Sequence, residues 1–161
     1  MSMLGGKLLD DIGREILRIL QEDGRISFNE LGRKVGLSSP AVAERVRRME
    51  EAGIILGYRA EVNHARIGYP IMAFIRLSIP VAHLPQADEL AKALPEVLEC
   101  HHLTGSDGVI LKVTVSSVGH LEDVISQMGT CGMTTTAIVL SSPIVGRSID
   151  PIKVPNGNNI L

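Results

Sequence analysis

The 161-residue sequence has no tryptophan, only two cysteines, and four aromatic residues in all, Phe28, Tyr58, Tyr69 and Phe74. Four scattered rings cannot build the stacking platforms on which single-stranded nucleic acids lie, which excludes a binder of that kind. Cys100 and Cys131 stand far apart with no CxxC spacing. That excludes a disulfide framework and fits a reducing compartment, with both thiols expected to pack as small buried hydrophobes. No apolar run approaches the roughly 18 residues of a membrane span, and MSMLGGK at the start lacks the apolar stretch of a signal peptide. A cytoplasmic protein with no membrane partner is expected.

Catalytic and cofactor motifs are missing too. The sequence contains no Ser-His-Asp spacing, no Walker pattern and no phosphate-binding glycine loop, and Gly105-Ser106-Asp107-Gly108 matches none of these. Cys100-His101-His102 resembles a metal cluster, but adjacent strand residues point to opposite faces and no fourth ligand is near in sequence. Neither an enzyme, nor a cofactor, nor a metal is expected.

Positive charge is in short supply overall, with a net charge of −2, yet it is not evenly spread. Between Arg33 and Arg48 lie Arg33, Lys34, Arg45, Arg47 and Arg48 against the single acid Glu44. The basic charge is concentrated in one short segment, and because the aromatics are too few for single strands, duplex DNA is the better candidate partner.

The same region has helical order. Asp10 can cap a first helix that carries Ile12, Ile16, Ile19 and Leu20 at helical spacing, with Gly24 as its stop. Ser27 and Glu30 form a capping box for a second helix, with Phe28, Leu31 and Val35 on its apolar stripe and Gly36 at its end. After Gly36-Leu37-Ser38 the chain restarts, with Ser39 as cap and Pro40 in the first turn. Helix, short glycine turn, helix is the outline of a helix-turn-helix. In the third helix Val42, Val46 and Met49 form the core stripe. The opposite side presents Pro40, Glu44, Arg47 and Arg48, flanked by Ser39, Ala43 and Arg45. Small and basic residues on an exposed face suit entry into the major groove, where Arg bonds guanine bidentately. The competing reading is a solvated face on which Glu44 and Arg48 pair one turn apart.

Beyond Gly53 the segment from Ile54 to Val62 is predicted to be an extended linker strand. Strands are then expected over 71–79, 97–103, 109–115 and 134–140, with helices over 84–94 and 119–128. This order, βαββαβ, is the ferredoxin-like arrangement, so the fold class is α+β. Its boundaries divide the chain into a helix-turn-helix domain (1–53), a linker strand (54–66), a ferredoxin-like domain (67–145) and a C-terminal tail (146–161). Ile75, Leu77, Leu111, Val113 and Ile138 give the sheet more apolar surface than two helices on one face would cover, so a partner subunit is expected on the other.

Three stretches carry a resemblance to a known family: residues 9–63, from LDDIGREIL to YRAEVN; VLECHHLTGSDGVILKVTV; and TTTAIVL. Together they resemble the Lrp/AsnC, or feast/famine, transcriptional regulators over nearly the whole chain. The resemblance implies an N-terminal half that binds double-stranded DNA. It also implies a C-terminal domain that makes homodimers, assembles them into octamers and binds an amino acid effector between dimers. On the DNA side, Arg47 is the first choice for base readout. Ser38, Ser39, Pro40, Ala43 and Glu44 would set the approach, and Arg33, Lys34, Arg45 and Arg48 would neutralise phosphate. On the effector side, Gly105, Ser106, Asp107 and Gly108 offer a carboxylate and open backbone amides, and Thr134, Thr135 and Thr136 offer hydroxyls. Two positions depart from the family pattern. Gly108 stands where an aspartate is common, with Asp107 one place earlier, and Gly13 stands where a polar residue is usual. The rival readings are a sensor or scaffold whose N-terminal half serves only assembly, and an enzyme acting on an amino acid.

Overall fold

The computed structural model describes residues 8–105 and 108–151. Asp10 accepts a hydrogen bond from the Gly13 amide at 2.7 Å and so opens α1, Asp11–Glu22, whose Ile16, Leu17 and Ile19 are buried. Ser27 accepts from the Glu30 amide at 3.2 Å and opens α2, Phe28–Val35, which Gly36 closes in the left-handed conformation at φ 72°. The third helix, α3, runs Ser39–Glu51 and buries Val42, Val46 and Met49 as its spacing predicts.

Two local expectations need correction. The cap of α3 is Ser38, whose hydroxyl accepts from the Ala41 amide at 3.4 Å, and not Ser39. This placement puts Pro40 at the second helical position, among groups that have no intrahelical partner to lose. Phe28, expected on the buried stripe, is 41% exposed, because it is the first residue of α2 and the core closes over Leu31 one turn later.

Residues 56–63 carry no strand, so the expected linker strand is not present within this chain. After a short turn of 3₁₀ helix at His64–Ile67, the second unit contains β1 (Ile71–Ser78), α4 (Leu84–Ala93), β2 (Val97–His102), β3 (Val109–Val115), α5 (Val118–Gly129) and β4 (Met133–Ile138). All neighbours in the sheet are antiparallel, in the order β2-β3-β1-β4. That is the ferredoxin-like topology expected from the element order.

Strand register decides which residues share a face. Ala73, Ile75 and Leu77 of β1 pair with Val113, Leu111 and Val109 of β3. All six are fully buried, in one core with Ala87 and Ala91 of α4 and Leu121, Val124 and Met128 of α5. The five residues expected to spill onto both faces therefore all lie on the helix side, with Ile138 opposite Ala73. The open face carries the alternate set instead: Met72, Phe74, Arg76, Ile110, Lys112, Thr135 and Ala137. Cys131 is buried, whereas Cys100 sits on the edge strand β2 and is exposed, contrary to the expectation of two buried thiols.

The described residues fall into two units, one built from parts of 1–60 and 144–161 and the other from 61–143. The described part of the expected C-terminal tail, residues 146–151, groups with the first unit. Gln21 of α1 bonds both the carbonyl and the amide of Ile149, each at 3.0 Å. Among the described residues, no helix is long and apolar enough to cross a membrane.

Candidate nucleic-acid interface and effector loop

The basic segment read from the sequence maps onto α2 and α3. Arg33 and Lys34 are exposed in the last turn of α2, and Ser38 and Pro40 are exposed at the start of α3. Ser39, Ala43 and Glu44 are half-buried on the same helix, and Arg47 and Arg48 project from it with side chains 54% and 57% exposed.

Arg45 is turned elsewhere. Its guanidinium holds both oxygens of Asp10, at 2.8 and 2.9 Å, which ties α3 to the cap of α1. These bonds, with the Gly13 amide, hold the Asp10 carboxyl below the usual aspartate range against the opposing effect of partial burial. The Arg45 guanidinium is correspondingly held more firmly in its charged form. A residue expected among the phosphate contacts is therefore occupied in fixing the three-helix unit.

Arg47 and Arg48 are paired within α3. Arg47 donates from Nε and Nη2 to the two oxygens of Glu44 at 2.9 and 2.8 Å and from Nη1 to Glu51, and Arg48 Nε donates to Glu44 at 2.7 Å. Two guanidinium groups on one carboxylate press its pKa down to about 2, with the hydrogen bond from Arg47 the larger cause. The i,i+3 and i,i+4 spacing of these charges is legible in the sequence, although only the Glu44–Arg48 pair is singled out there.

The candidate effector residues divide. Gly105, at φ 104°, and Gly108 flank Ser106 and Asp107, which lie outside the described residues. The Gly108 carbonyl accepts from the Leu103 amide at 2.9 Å, closing the loop between β2 and β3. Thr134 and Thr136 pair with Leu77 and Ile75 on the helix side of the sheet, whereas Thr135 pairs with Arg76 on the open side. The three hydroxyls therefore do not converge. Thr134 and Gly108 lie at the same end of the sheet, where β1 leaves it. There Gly132, just before β4, admits Ile79: a Cβ on Gly132 would meet the Ile79 side chain at 2.1 Å.

On β2, His102 bonds Asp88 of α4 at 2.8 Å while His101 turns to Glu99 at 3.3 Å. The Cys100 thiol is pushed up by partial burial and by Asp88. Among the described residues no group of three or more His, Cys, Asp or Glu is placed to hold a metal ion.

A helix-turn-helix unit with an exposed charged third helix, joined to a ferredoxin-like sheet domain, is the architecture of a ligand-responsive DNA-binding regulator. The AsnC-type helix-turn-helix domain matches residues 9–50, and the Lrp/AsnC ligand binding domain matches residues 72–149. The chain belongs to the Lrp/AsnC family of transcriptional regulators. The uncharacterized HTH-type transcriptional regulator YezC of Bacillus subtilis is 40% identical over 134 residues, spanning 83% of this chain and 95% of that protein. Regulatory protein AsnC of Escherichia coli is 34% identical over 149 residues, spanning 89% and 97%. Among solved structures, the feast or famine regulatory protein of M. tuberculosis complexed with L-methionine superposes with a TM-score of 0.83 at 34% identity, covering 89% of this chain and 99% of that one.

Proposed function

We propose that this regulator binds a partly palindromic duplex site as a dimer, places α3 of each subunit in the major groove, and responds to an amino acid. The observation that carries the DNA half is the exposed side of α3. It holds Arg47 and Arg48 behind a glycine-closed, serine-capped turn, while its other side is locked by Val42, Val46 and Met49. Arg47 reads a base. Ser38, Ser39, Pro40 and Ala43 allow close approach, and Arg33, Lys34 and Arg48 neutralise phosphate. Arg45 fixes the angle of α3 through Asp10 rather than meeting DNA.

The effector half rests on the matched ligand-binding domain and on the L-methionine carried by the M. tuberculosis relative. A free amino acid needs an acid or carbonyls for its ammonium and amides or hydroxyls for its carboxylate. Asp107, the amides around Gly105 and Gly108, and Thr134 supply these groups; Thr135 and Thr136 face opposite sides of the sheet, so one loop cannot use both. Assembly uses the open sheet face, in which Phe74 and Ala137 are exposed, with octamers built from such dimers. A cytoplasmic location is consistent with this reading.

The rival in which the N-terminal unit only assembles draws support from the pairing of Arg47 and Arg48 with acids. Binding to genomic DNA fragments, titrated with salt and with each of the twenty amino acids, separates the two. Salt-dependent retention of particular fragments supports the regulator, and no retention at low salt supports the rival.

A further inference from the structure

Two acids on α3, Glu44 and Glu51, have no evident use in a helix meant for a polyanion. Glu44 and Glu51 lie on the same exposed side as Arg47 and Arg48, so two cations are matched by two anions and the face carries no net charge. Exposed pairs at these spacings contribute little to stability, which leaves the cluster unexplained as a structural device. Its geometry bears on binding instead. A guanidinium has five N–H donors, and Arg47 spends three of them on Glu44 and Glu51.

We infer that Glu44 is a specificity-determining residue: a counter-charge within the recognition helix that suppresses binding to DNA of the wrong sequence. If Arg47 and Arg48 both move from Glu44 to phosphates, one anion is exchanged for another and a bare carboxylate is left facing the backbone. Few counterions are released in such an exchange, and counterion release is what drives non-specific affinity. A guanine in register offers O6 and N7, neutral acceptors that the two remaining donors of Arg47 can meet while Glu44 keeps its place. The correct base therefore adds bonds without meeting a like charge, whereas a phosphate held by the same donors lies beside the Glu44 carboxylate and is repelled by it. The low pKa of Glu44 keeps the counter-charge present throughout the physiological range.

This inference rests on the DNA-binding reading above, and the experiment keeps the two apart. The full chain and its Glu44→Gln and Glu44→Ala variants are titrated from about 50 to 200 mM salt against a random-sequence duplex pool and against a duplex selected from that pool by the unmodified protein. Both variants are expected to bind the random pool more tightly at low salt. Their salt slope should steepen by about 0.9, so that about three- to fourfold more affinity is lost over that range. The ratio of specific to random affinity should fall. Glu15→Gln, which removes one of the two carboxylate partners of Arg18 on α1, should change none of these. If the unmodified protein ignores both duplexes, the DNA-binding reading fails. If it binds and the variants keep its random-pool affinity and slope, or raise both affinities by one factor, the role of Glu44 is overturned.

Discussion

A methyl group added at Gly13 would stand 1.8 Å from the carbonyl oxygen of Leu8 and 3.1 Å from the end of Met49. In an isolated helix Gly→Ala gains about 1 kcal/mol; here the chain entering α1 folds back so closely that the added carbon must push backbone aside. Gly13→Ala is therefore expected to lower stability, by about 1 to 3 kcal/mol as overpacking does, and thermal unfolding measures it directly. A rise in the midpoint would show that the approach of Leu8 relaxes freely. Arg47 poses the opposite case, since it touches no core. Arg47→Ala should leave the unfolding midpoint unchanged, weaken the selected duplex roughly five- to 150-fold and blur discrimination at one base position, whereas Lys34→Ala should weaken specific and random duplexes alike. Equal binding of the selected duplex by Arg47→Ala would remove this residue from base readout.

Contacts between elements set the angle of α3, and here the sequence is only partly legible. The helices and strands can be read because apolar residues recur at the period of each element, and glycine or serine marks their ends: Val42, Val46 and Met49 fix the buried side of α3 without any knowledge of its neighbours. With two adjacent serines before Pro40, periodicity could not choose the cap, and only the Ser38 to Ala41 hydrogen bond decides it. The Asp10–Arg45 pair spans 35 residues, and no local pattern announces it. Alternation puts Ile75 with Leu77 and Leu111 with Val113 on one face within each strand, but it does not reveal that both pairs and Ile138 share the same covered side, which only the register between strands decides. Asp10→Ala should cost about 1 kcal/mol for the cap alone. In a double-mutant cycle with Arg45→Ala, the coupling should exceed about 0.5 kcal/mol. The pair also sets a pH dependence. Asp10 has a lower pKa folded than unfolded, so its contribution is complete above the ordinary aspartate pKa and is lost as pH falls through the folded value, below about pH 4. Asp10→Asn should flatten stability against pH in that window, and an unchanged acid limb would remove the pair from the account.

At the scale of the whole molecule, the proposed assembly and the proposed sensing both fall on the sheet domain. Phe74 stands in the central strand β1 and is 36% exposed on the open face, so Phe74→Glu should shift sedimentation from dimers and larger species toward monomers; a dimer that persists would place the contact elsewhere. Sensing is then tested on the loop after β2. A ligand bound only by the folded protein stabilises it by RT ln(1 + [L]/Kd), about 2.7 kcal/mol at a hundredfold excess over Kd. A thermal-shift screen of the twenty amino acids should therefore single out an effector. That effector should change either the oligomer or the affinity for the selected duplex, because coupling between two sites is reciprocal. Asp107 is the one carboxylate that the loop offers to an ammonium group, so Asp107→Ala should abolish the shift while leaving effector-free DNA binding near normal. Thr134→Val should weaken the shift, since Thr134 lies at the sheet end near Gly108, whereas Thr135→Val, on the opposite face, should not. A screen with no response, or a response that Asp107→Ala leaves intact, would take the effector away from this loop and leave the sheet domain as an assembly module.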